Sequence, residues 1–238
     1  MNGTFKLLAT LVLLMLLAVS CGKPEEPDNG GDDDGGIIAG HEYVDLGLPS
    51  GTLWATCNVG ANCPEACGDY YAWGETVTKE MYDWKQYKYS CFVNGDYVLT
   101  KYCTDPECGF NGFVDSLLVL DPTDDVASVN WGTDWRMPTK EEWSELLDNT
   151  TDTLIEQNGI TGRLFTGSNG NNLFLPNTGF YLDNALICAK LGVYWSSSLQ
   201  TTFQIVAWSY HSDLDECHVC GTYERSRGQC VRAVRVEK

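Results

Sequence analysis

Residues 158–175 read Asn-Gly-Ile-Thr-Gly-Arg-Leu-Phe-Thr-Gly-Ser-Asn-Gly-Asn-Asn-Leu-Phe-Leu, with an Asn-Gly dipeptide ahead of each apolar run. Asn-Gly is the pair that best tolerates positive φ at both centres of a tight turn, so Asn158-Gly159 and Asn169-Gly170 each predict a hairpin. A third pair, Asn94-Gly95, stands between Cys91-Phe92-Val93 and Tyr97-Val98-Leu99. Further strands are expected over Thr52 to Val59, Val193 to Ser197, Gln204 to Tyr210 and Gln229 to Val236, giving an antiparallel sheet. Thr139 with Glu142 three places on forms a capping box, and Trp143, Leu146 and Leu147 follow at helical spacing. A shorter helix is expected from near Asp124, ending before Trp131. No repeat of solenoid period occurs. The fold class is α+β.

The chain opens with Lys6 and then the apolar run Leu7 to Ala18, broken only by Thr10. That run is a signal-peptide core, too short for a permanent span. Ala18, Val19 and Ser20 precede Cys21, and the segment resembles a bacterial lipobox, which implies cleavage before Cys21 and lipid on its sulfur. Each buried lipid methylene contributes about 0.8 kcal/mol, so two or three chains hold where one does not. Residues 21–41 are rich in Gly, Pro and acid and form an expected flexible stalk. Residues 42–238 form the expected domain. Acids soon after the cysteine resemble the signal that sends lipoproteins of Bacteroides-like bacteria to the outer face of the outer membrane. The membrane would then be met through that lipid alone.

Net charge is −18, of which the first forty residues carry −4. A field of that sign repels phosphates and anionic headgroups, which argues against nucleic-acid partners. Beyond Cys21 lie ten cysteines, at 57, 63, 67, 91, 103, 108, 188, 217, 220 and 230. An even count in an exported chain favours disulfides, with Cys63 and Cys67 the first pair to expect and Cys91, Cys103, Cys217 and Cys220 further candidates. The rival reading is zinc, through Cys217-x-x-Cys220 and Cys63-x-x-x-Cys67. No metal or cofactor is expected.

Several blocks spread over the domain act together: Glu42-Tyr43-Val44-Asp45-Leu46-Gly47-Leu48-Pro49-Ser50-Gly51-Thr52-Leu53-Trp54-Ala55, Gly68-Asp69-Tyr70-Tyr71-Ala72-Trp73-Gly74-Glu75-Thr76, Asn130-Trp131-Gly132 with Trp135-Arg136-Met137-Pro138-Thr139, Tyr194-Trp195-Ser196-Ser197-Ser198 and Val231-Arg232-Ala233-Val234. They resemble the Fibrobacter succinogenes major paralogous domain of lipoproteins from gut Bacteroidetes. That resemblance implies a C-type-lectin-like fold, a small irregular antiparallel sheet with two helices and long loops. The C-terminal block, with Arg225-x-x-Gly228, is similar to the variable region of retroelement-diversified proteins. A surface receptor or adhesin is therefore expected, taking a protein or glycan ligand on an evolvable C-terminal face.

Strand alternation narrows that face. Trp208, Tyr210 and Ser212 share one side and Ser209, His211 and Asp213 the other. With the bulky pair inside, Ser209, His211 and Asp213 face outward. Gln200, His218, Thr222, Ser226, Arg227 and Gln229 join them around the Arg225 to Gly228 segment.

Other readings compete. Trp54, Trp73, Trp131, Trp135 and Trp195 suit a sugar platform, but tryptophans in scaffold runs are more often core. Arg136 and Arg232, each inside an apolar run, read as buried structural cations rather than an anion clamp. Asp121, Asp124 and Asp125 suit calcium less well than a helix start. Formylglycine-generating enzymes have a related fold and bind copper through a cysteine pair. Only Cys217-His218-Val219-Cys220 could imitate that here, and the chain has three histidines, His41, His211 and His218. An enzyme is not expected, and a structural or fimbrial-tip role is the alternative to a receptor.

Overall fold

A computed structural model describes residues 35–236, so the signal segment, Cys21 and the stalk as far as residue 34 lie outside the described residues. The chain begins with β1 (Gly35–Ile38), β2 (His41–Asp45) and β3 (Thr52–Asn58), followed by the hairpin β4 (Ser90–Val93) and β5 (Asp96–Leu99). Two helices follow, α1 (Val126–Trp131) and α2 (Lys140–Asn149), then β6 (Thr151–Gln157), β7 (Ile160–Thr166) and β8 (Asn172–Pro176). A short hairpin, β9 (Phe180–Leu182) and β10 (Ala185–Ile187), leads to β11 (Gly192–Leu199), β12 (Val206–Ser212), β13 (Cys217–Glu224) and β14 (Arg232–Val236). At 42% strand and 10% helix the architecture is α+β or mostly β.

The Asn-Gly turns do what the dipeptide allows. Asn94 and Gly95 take φ of 52° and 101°, Asn158 and Gly159 of 52° and 81°, and each pair closes a two-residue hairpin. At Asn169-Gly170 only the glycine has positive φ, and the connection between β7 and β8 spans residues 167–171. In α2 both halves of the capping box are present. Thr139 Oγ1 accepts from Glu142 N at 3.2 Å, and Glu142 Oε2 accepts from Thr139 N at 2.8 Å. Such a cap contributes about 1 kcal/mol. The shorter helix is capped by Asp125, whose Oδ1 accepts from Ala127 N and Ser128 N, and it runs on to include Trp131.

The single small sheet expected is in fact five separate sheets, in the orders β1-β2-β3-β14, β4-β5, β6-β7-β8, β9-β10 and β11-β12-β13. The expected stalk also ends early. Residues 35–38 already pair with β2, Ile38 O accepts from the Trp135 indole at 3.1 Å, and His41 stacks on Trp131 at 3.7 Å. The Ile37-Ile38 pair marks where the chain gains enough apolar side chain to join the sheet.

Three strands form a wall between two apolar cores. In β3, Trp54 faces one core and Ala55 the other; in β11, Tyr194 and Trp195 divide the same way, as do Val234 and Ala233 in β14. Alternation of side chains across an extended strand requires this. One core gathers Trp73, Trp135 and Trp195 with Tyr87 and Tyr102; the other gathers Trp54 and Trp143 with Phe165, Tyr194 and Tyr210. All five expected scaffold tryptophans pack here, four fully buried and Trp131 half-buried at the rim.

At the edge of the first core, the acids Asp121, Asp124 and Asp125 are taken up by the protein itself. Lys101 Nζ lies 2.5 Å from Asp121 and 2.7 Å from Asp124, which also binds Lys88 at 3.0 Å and the Tyr102 hydroxyl at 2.8 Å. Burial alone would push the Asp124 carboxyl up, but hydrogen bonds from Lys101, Tyr89, Tyr102 and Lys88 outweigh it and hold it well below the usual carboxylate range. A carboxylate depressed on folding stabilises above its unfolded value and loses that contribution as pH falls. Asp124→Asn should therefore lower stability at pH 7 and flatten the acid loss below about pH 4, read by urea unfolding at stepped pH. An unchanged acid slope would mean that Asp124 does not carry it.

Candidate functional site

The outer stripe of α2 begins the site. Lys140, Glu141, Ser144, Glu145, Asp148 and Asn149 recur at helical spacing, and opposite them stand Trp208 of β12 and Val219 of β13. Between helix and sheet runs an open groove of about 540 Å³. Glu145 is committed to the scaffold, accepting from Ser50 N at 2.8 Å and Ser50 Oγ at 2.6 Å. Glu141, Asp148 and Asn149 are exposed. The Trp208 ring is half-buried, and Lys140 Nζ stands 4.9 Å from its centroid. Such a cation over an indole is held by roughly 0.5–1 kcal/mol where water reaches it, weak enough for a ligand to displace.

Trp208 reaches this groove by plain alternation along β12. Tyr210, two residues on, stacks on Trp143 of α2 at 4.8 Å, while Ala207 turns to the first core. The register is irregular here: three residues of β11 oppose Trp208 between the pairs Trp195–Ser209 and Leu199–Ala207, and Gly221 and Thr222 oppose it on β13. Gly221 is needed for the fit, since a Cβ there would lie 2.8 Å from Gln200 Cγ and 3.4 Å from the indole.

The expected ligand face is not one face. Gln200 is half-buried beside Gly221. His211 and His218 pair across β12 and β13 with ring centroids 4.9 Å apart, and both are half-buried. Burial lowers the His211 imidazole and the neighbouring His218 adds to it. Asp213 closes the turn after β12 by accepting from Asp215 N at 2.9 Å and Glu216 N at 3.0 Å. Arg227 pairs with Glu224 at 2.8 Å.

Three residues expected outside are inside. Ser209 is fully buried because the sheet is covered on both sides, so alternation along β12 does not select a solvent face. Ser226 and Gln229 are buried within the segment that returns the chain from β13 to β14, where the Gln229 backbone pairs with Tyr71. Thr222 lies in β13, and its side chain is outside the described residues. Trp208 shares the α2 side with Tyr210, as alternation expected, but only Tyr210 is fully buried, and Trp208 stays half-exposed at the rim; the polar stripe of α2 was visible in the sequence but had no partner to give it meaning.

Among the described residues the ten cysteines stand as thiols. Cys217 and Cys220 sit three apart on a regular stretch of β13, which sends them to opposite faces and removes the Cys-x-x-Cys chelate or pair. The Cys67 thiol donates to Asn177 O at 3.9 Å, and Cys67 packs against the core that holds Cys230. No group of three or more His, Cys, Asp or Glu among the described residues is arranged to hold a metal ion.

No family model, no curated protein and no solved structure matches this chain. The groove must therefore be judged on its own chemistry. No helix of the described residues is long and apolar enough to cross a membrane.

Proposed function

We propose that this chain is a non-catalytic binding module of C-type-lectin-like architecture, held at the outer membrane surface by lipid on Cys21, which takes a neutral glycan against Trp208. One observation carries this: a half-exposed indole in an open groove whose opposite wall offers two carboxylates and an amide. An indole face packs against the C–H face of a pyranose ring, while Glu141, Asp148 and Asn149 suit its hydroxyls. The net charge disfavours sulfated or phosphorylated polymers. On this reading the ligand surface is the groove beside α2 rather than the polar row of β12.

The test is binding to an array of neutral and sulfated glycans by wild type and Trp208→Ala. Wild type should select neutral sugars, and the variant should lose about tenfold or more in affinity, equivalent to about 1.4 kcal/mol, with an unchanged melting temperature. Retention of full affinity by a folded Trp208→Ala, or no neutral glycan bound by wild type, sinks the proposal.

A further inference from the structure

Two pairs of cysteines are gathered by the fold, one round a single turn and one at the edge of a core. Cys103 Sγ donates to Asp105 O at 3.1 Å, and the same carbonyl accepts from Cys108 N at 3.0 Å. Cys108 Sγ lies 4.0 Å from the Asp105 carboxylate, so both sulfurs crowd one turn. Cys230 belongs to the second core, and Cys67 and Tyr70 both pack against that core. The Cys67 thiol donates to Asn177 O at 3.9 Å and the Tyr70 hydroxyl to the next carbonyl, Thr178 O, at 2.6 Å. Cysteines held in one packed neighbourhood can be bridged with little backbone movement, whereas cysteines aimed apart cannot.

We propose that the oxidised domain carries the disulfides Cys67–Cys230 and Cys103–Cys108, rather than the sequence-adjacent Cys63–Cys67. The co-reactant is a disulfide, either small or on a dithiol oxidoreductase. One thiolate attacks it and forms a mixed disulfide, releasing the first thiolate of the oxidant. The second cysteine, on losing its proton, displaces the other sulfur. The protein loses two electrons and two protons per bond, and the oxidant becomes a dithiol or two thiols. Cys230 and Cys103 are fully buried, so the bonds form while the chain folds.

The consequences of the two bonds differ. Cys67–Cys230 staples the loop after β3 to the approach to β14, across most of the domain's sequence. Cys103–Cys108 closes a short turn beside Thr104, whose N donates to Gln204 Oε1 at 2.9 Å while Gln204 Nε2 donates to Thr104 Oγ1 at 2.8 Å. It would thereby fix the connection from β11 to β12, which ends just before Trp208.

The experiment refolds the full-length chain from reductant and denaturant with oxidised and reduced glutathione, alkylates remaining thiols and digests without reduction. Mass spectrometry of the folded monomer should find peptides joined at Cys67–Cys230 and at Cys103–Cys108, with both unchanged in Cys63→Ala. A Cys63–Cys67 link, or the absence of either expected peptide from the folded monomer, overturns the assignment.

Discussion

Arg232→Met is expected to destabilise the domain by about 3–5 kcal/mol, measured as a shift of the urea midpoint. Arg232 is fully buried at the start of β14, and its guanidinium bonds to neutral oxygens in two other strands. Nε donates to Asn58 Oδ1 at 2.7 Å, NH1 to Ala55 O at 2.9 Å and NH2 to Phe174 O at 3.1 Å. Burial pulls the guanidinium below its ordinary value, yet a planar fork with five donors is what can serve oxygens on β3 and β8 at once. Methionine keeps much of the volume and leaves those acceptors dry and unpaired. Arg232→Lys restores a charge but not the fork, and should recover only a minor part of the loss. A methionine variant within 1 kcal/mol of wild type would show that the network does not hold the strands.

Trp195→Ala should cost a similar amount, about 3–5 kcal/mol, through the opposite physics. Trp195 is fully buried in the first core from the wall strand β11, and its indole donates to Tyr71 O at 2.8 Å. Alanine there leaves a large hole that a scaffold fixed on both sides cannot collapse to fill. Trp195→Phe separates the contributions, because it keeps most of the packing and removes only the indole's bond to the Tyr71 carbonyl, which still accepts from Gln229 N at 3.0 Å. Calorimetry should give a melting temperature lowered by roughly 10 °C for alanine and by less than half of that for phenylalanine. Equal losses would assign the effect to the hydrogen bond rather than the cavity.

What could be read in the sequence was what is decided locally. Asn158-Gly159 and Asn94-Gly95 impose their turns through their own backbone preferences, and Thr139 with Glu142 closes a cap within one helical turn. Grouping of the strands into sheets depends on contacts between distant segments, such as Val234 against Trp54, and no local pattern announces it. Alternation sorted the side chains of β12 but did not say which side meets solvent. Both faces are covered, so Ser209 is buried although small and polar, and Trp208 lies with Tyr210 on the α2 side yet stops at the rim. Cover is a property of neighbouring elements rather than of β12. The charged stripe of α2 was readable as a solvated face, but only the approach of Trp208 and Val219 makes it one wall of a groove.

The position of β14 in the wall has a kinetic consequence. Its five residues enter between the two cores and pair with β3, whose residues were made near the start of the domain. A ribosome releasing this chain in order cannot offer a finished wall until β14 has emerged. Hairpins such as β6–β7 form within microseconds, while the closure that joins β14 to β3 waits for a search over most of the domain. Closure of the wall is thus a late event, on the millisecond-to-second scale of non-local β structure. Until then Trp54, Trp143 and Trp195 are without their cores, and the interval before closure is when the chain is most open to aggregation.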